Sequence, residues 1–87
     1  MAALSACASA PVQEMSDARQ AIYSAEAAGA RQRSPAALLE AQRLLQEAQA
    51  GLEAGTYQQA RQQALDARDE AIKAREQAMR TAVSPAL

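Results

Sequence analysis

Residues 55–80 read "GTYQQARQQALDARDEAIKAREQAMR", and alanine recurs there at 60, 64, 67, 71, 74 and 78. Spacings of three and four keep all six on one face of a helix. Tyr57 extends the series upstream, and Leu65, Ile72 and Met79 follow beside it at heptad spacing. A stripe of methyl groups lets a neighbouring backbone approach closely. The three larger side chains are expected to fill the sides of the resulting groove against Leu38, Leu44, Leu45 and Leu52. The spacing therefore predicts a helix over about 57–82. Its packing seam is Ala60, Ala64, Ala67, Ala71, Ala74 and Ala78, a seam that a further helix could cover.

Upstream, Gly55 is the expected stop of another helix, because glycine tolerates the left-handed conformation at a helix C-terminus. That helix covers about 35–54, with Leu38, Ala41, Leu45, Ala48 and Leu52 on one stripe. Ser34 is its expected cap, Pro35 suits its first position, and Thr56 is the expected cap of the helix that follows. So short a link makes the two helices antiparallel neighbours. A first helix is expected over about 11–28, capped by Ser9 and stopped by Gly29, with Glu14 and Asp17 near its positive end. Its stripe is Met15, Ala18, Ile22 and Ala25, with Tyr23 read as a core-edge residue in preference to an exposed contact. The segment "GARQRSP", 29–35, reads as a polar link. The fold class is thus all-α: three antiparallel helices, the second and third forming a close, alanine-seamed hairpin. Residues 11–83 form the single domain, with a 10-residue leader before it and a tail at 84–87.

Composition agrees and excludes several functions. Of 87 residues 25 are Ala and 11 Gln, both favourable in helices, whereas Phe, Trp and His are absent. Leu, Ile and Val are too few for an ordinary core, so helix-on-helix contact must supply what the core lacks. Nine basic and ten acidic residues, net charge −1, are interspersed. They form neither a basic face for nucleic acid nor a polybasic stretch for anionic lipid. Apolar runs fall short of the roughly 18 residues a bilayer requires.

No catalytic constellation emerges. A protein without His and with one Cys has no obvious zinc cluster or intrachain disulfide, and its three glycines sit singly at helix ends rather than in a phosphate loop. Asp69 with Lys73 and Glu76 with Arg80 are expected helix-supporting pairs. Asp66 with Glu70 is the only carboxylate pair resembling a general acid and base, and so thin a bundle offers nothing to shift its pKa. No enzymatic activity, cofactor, metal or small-molecule substrate is expected.

Two resemblances add to these observations. The stretch Gly55–Ala67, "GTYQQARQQALDA", resembles the second half of a tetratricopeptide repeat, with Gly55, Tyr57, Ala60 and Ala67 matching and Ala48 small where the repeat wants it. Glu47 and Ala64 depart from the pattern, and one hairpin cannot build the peptide groove of a repeat array. Across nearly the whole chain, the order "LSAC", "PVQEMSDARQAI", "SPAALLEAQRLLQEAQAGLEAGTYQQARQQALDA" and a final alanine-rich helix resembles short lipoproteins of the Gram-negative envelope. Their domain, DUF4398, has no known function. That resemblance implies an exported, lipid-anchored helical protein.

Cys7 then takes on meaning. Leu4, Ser5, Ala6 and Cys7 resemble a bacterial lipobox, whose small residues admit the segment to the signal peptidase and whose thiol accepts the lipid. Ala8 is compatible with sorting to the outer membrane. Only six residues precede Cys7, and they contain neither a basic residue nor a full apolar region. Either the reading frame starts upstream of Met1, as the apolar "MAAL" suggests, or the protein is a cytosolic helical regulator or assembly factor and the match is accidental. In the first case residues 1–10 are the end of a signal peptide and a tether. The expected role is then a structural or adaptor element at the periplasmic side, binding another envelope protein or itself.

Overall fold

The computed structural model describes residues 9–83. Its helices are α1 (Val12–Ala27), α2 (Ala30–Arg33), α3 (Pro35–Ala54) and α4 (Tyr57–Val83). The three long helices run up, down and up. Met15 clusters with Ala48 and Ala64, whereas Ile22 and Ala25 cluster with Ala37, Leu38, Ala71 and Ala74. α1 is therefore parallel to α4, and α3 is antiparallel to both. α4 packs extensively along α3 and α1, which touch each other less.

The six seam alanines are all fully buried, enclosed by α1 and α3. The seam is accordingly not open to a further helix, contrary to the sequence-based expectation. Among the described residues, the buried apolar side chains are alanine except for Pro11, Met15, Ile22 and Leu38. Such a core loses little rotamer entropy on folding, since alanine has none to lose, and gains its cohesion from close backbone approach. Leu45 and Leu52, partly buried, close its sides.

The flank of α4 departs from expectation. Ile72 and Met79 are 41% and 46% exposed, and so do not fill a groove against the leucines of α3. Each directly follows a seam alanine and is turned about 100° from it, beyond the arc that α1 covers. Tyr23 is likewise outside the core, at 64% exposure.

The turns use backbone more than side-chain caps. α3 ends in a Schellman arrangement: Thr56 N–H donates to the Gly51 carbonyl at 2.9 Å and Gly55 N–H to the Leu52 carbonyl at 3.2 Å, with Gly55 at φ 82°. Thr56 Oγ1 donates to that same Gly51 carbonyl instead of capping α4. Pro11, not Ser9, precedes α1, and no side chain caps it. The expected polar link contains the single turn α2, entered through Gly29 at φ 89°, and this turn buries Ala30. Ser34 does not cap α3 with its side chain; its Oγ donates to the Ala74 carbonyl of α4 at 2.6 Å. The expected ion pairs also rearrange: Lys73 meets Glu70 and Arg68 meets Asp69, leaving Glu76 and Arg80 unpaired with each other.

Candidate interaction surface

With the alanine seam consumed inside the bundle, chemistry available to a partner lies on its outside. The side between α1 and α3 is the less tightly closed. Across it Gln42 Nε2 donates to Glu26 Oε2 at 3.1 Å, and Arg31 of α2 reaches the same carboxylate oxygen at 3.6 Å. Tyr23 precedes Glu26 by three residues and Leu39 precedes Gln42 by three, so both share the outer side of this polar rung. Leu39 and Tyr23 are each 64% exposed. Beside the rung, Arg31, Pro35, Leu38, Leu39 and Gln42 line an open cleft of about 220 Å³. Its floor is aliphatic and its rim carries one cation and one amide, a surface suited to an apolar side chain of another protein with a polar neighbour.

The other flanks are solvated and charged. Glu40, Arg43 and Glu47 form an exposed ladder on α3. The hydrogen bond from Arg43 holds the Glu40 carboxyl below its ordinary pKa, and the same contact raises that of Arg43. Gln63 joins Glu47 to α4 at 3.3 Å, and Gln62 donates to Asp66 at 3.0 Å. Asp66 and Glu70 face separate partners, Gln62 and Lys73. Among the described residues, no group of three or more Cys, Asp or Glu is placed to hold a metal ion, and no helix is long and apolar enough to cross a membrane.

Cys7, with Leu4, Ser5 and Ala6, lies outside the described residues. The first described residue, Ser9, is held: Arg61 Nη2 donates to its carbonyl at 3.1 Å, while Arg61 Nε donates to Glu14 Oε2 at 3.2 Å. Sequence reasoning missed this Arg61 anchor and the Ser34 bond. Both join residues at least 40 positions apart, for which local spacing carries no signal.

The family model for Domain of unknown function DUF4398 matches residues 13–84. The chain belongs to the DUF4398 family. The match takes in α1 through α4 almost completely. No curated protein and no solved structure matches the chain.

Proposed function

We propose that this DUF4398 domain is the helical part of a lipid-anchored protein of the Gram-negative envelope, held through Cys7 at the outer membrane and facing the periplasm. It acts as a non-catalytic structural or adaptor element that binds another envelope protein or a second copy of itself. One observation carries the reading: the lipobox-like Leu4-Ser5-Ala6-Cys7 stands two residues ahead of Ser9, at the edge of the packed domain. An acyl chain there would leave the bundle intact beside the bilayer. The exposed Tyr23 and the cleft lined by Arg31, Pro35, Leu38, Leu39 and Gln42 supply a contact surface.

The test is acylation in cells. A gene extended upstream to a start codon followed by basic residues, expressed in a Gram-negative host, should incorporate labelled palmitate, and Cys7→Ser should lose the label. Equal labelling of the variant contradicts the anchor. Absence of label from the wild type also contradicts it, and leaves a cytosolic helical regulator.

A further inference from the structure

We infer that two copies of this domain pair side by side and parallel through the outer flank of α4, a surface separate from the cleft beside Leu39. The pairing goes beyond the role proposed above and does not depend on the lipid anchor. Three consecutive heptads of α4 read "RQQALDA" (61–67), "RDEAIKA" (68–74) and "REQAMRT" (75–81). Their alanines at 64, 67, 71, 74 and 78 belong to the buried seam. Packing inside the bundle accounts for those alanines alone, yet the repeat also sets Arg61, Arg68 and Arg75 in one row and Leu65, Ile72 and Met79 in the next. Arg68, Ile72 and Glu76 succeed one another at four-residue steps, each turned about 40° from the last. Asp69 and Glu76 therefore border the apolar row on the side away from the arginines. Ile72 and Met79 are exposed and Leu65 is half-buried.

Within the bundle, α1 answers only one of the three arginines. Arg61 Nε donates to Glu14 Oε2 at 3.2 Å. Ala21 and Ala28 follow Glu14 at heptad spacing, and α1 runs parallel to α4, so methyl groups stand at the positions equivalent to Glu14 for Arg68 and Arg75. Arg68 meets only its sequence neighbour Asp69, at 3.1 Å with the two side chains 40% and 64% exposed. Arg75 and Glu76 enter no ion pair among the described residues. Such a flank suits a helix that carries carboxylates at heptad spacing beside an apolar row, and α4 of a second copy is such a helix. In a parallel two-fold pair the apolar rows meet along the axis, Arg68 comes level with Asp69 of the other copy, and Arg75 with Glu76 of the other copy. An antiparallel pair would set Arg68 against Arg75 and Asp69 against Glu76, so charge selects the parallel arrangement. Lys73 and Arg80 are turned about 80° or more from Ile72 and lie outside the contact. With few apolar side chains and an exposed charged rim, the pair is weak and loosens in salt.

Sedimentation equilibrium of the full chain, kept reduced, tests the pairing. In low salt the mass should rise from monomer toward dimer between micromolar and millimolar concentration. Ile72→Asp should raise the dissociation constant by about tenfold or more while helical circular dichroism is kept, because it places a charge in the apolar row. Arg68→Glu with Arg75→Glu should stay monomeric, as should Asp69→Arg with Glu76→Arg, and an equimolar mixture of the two chains should form the dimer again. For orientation, Met79→Cys in a Cys7→Ser chain should form a disulfide-linked dimer on mild oxidation, and Tyr23→Cys should not. A wild-type chain that stays monomeric, or a dimer that survives Ile72→Asp, overturns the interface. Faster linkage of Leu65→Cys to Met79→Cys in a mixture than of Met79→Cys to itself overturns the parallel arrangement.

Discussion

Ser34 is the buried polar residue among those described, and its hydroxyl ties the start of α3 to the middle of α4. Ser34→Ala removes that bond while Ala74 keeps its intrahelical partner, so a loss of about 0.5–1.5 kcal/mol is expected in urea unfolding. Gly51 sets up a sharper contest. Alanine within a helix normally gains up to about 1 kcal/mol over glycine, but a Cβ at position 51, in the last turn of α3, would stand 3.1 Å from both the Ala60 Cβ and Thr56 Oγ1. The hydroxyl can rotate away; the Ala60 Cβ is fixed to a buried helix. Gly51→Ala should therefore lower the unfolding midpoint, whereas an unchanged or raised midpoint would show that α3 and α4 separate easily. Glu40 belongs to the same scale. Its pKa is lowered in the fold, chiefly by the Arg43 hydrogen bond. The stabilisation is present above the ordinary glutamate range and is lost as pH falls through the depressed value. Because both partners are exposed, the expected loss in melting temperature is small and disappears in high salt. Of these residues, Gly55 was legible in sequence because only glycine suits the left-handed stop that α3 requires. Ser34 was misread because a serine before a proline-led helix looks the same whether it caps that helix or bonds another.

Among the elements, α4 decides the packing. Every seam position accommodates one methyl, so Ala67→Leu must push α1 or α3 away, and a cost of about 1–3 kcal/mol is expected. Ile72→Ser, on the same helix but on its exposed flank, should change stability by less than about 0.5 kcal/mol. Comparable effects at the two positions would mean that the seam is not the contact. The three- and four-residue period made the helices and the buried stripe readable, since both depend only on local rotation. Period alone could not say how wide an arc the neighbours cover, and so Ile72 and Met79 were assigned to the sides of the groove and Tyr23 to the core edge. Nor could it say that the seam faces two helices at once and has no room for another. On the α1–α3 side, a photo-crosslinker replacing Leu39 in the membrane-bound protein should trap a partner or a second copy, and one replacing Arg80 should not. Equal capture at both positions would remove the cleft from consideration.

For the whole molecule, the core of the described residues is built almost entirely of alanine, and the proposed role is one of contact. The candidate anchor was legible from four residues, Leu4 to Cys7, because a lipobox is a local pattern read by an enzyme on an extended chain. The candidate contact surface was not, because Tyr23 and Leu39 are brought to one side of the bundle only once α1 and α3 pack against each other across the Glu26–Gln42 rung. The central claim is a lipid at Cys7, and mass spectrometry of the protein taken from the membranes of its native host tests it most directly. The account predicts a mature N-terminal peptide that begins at Cys7 and carries a thioether-linked diacylglycerol. An unmodified Cys7 thiol within a longer, uncleaved peptide would contradict it.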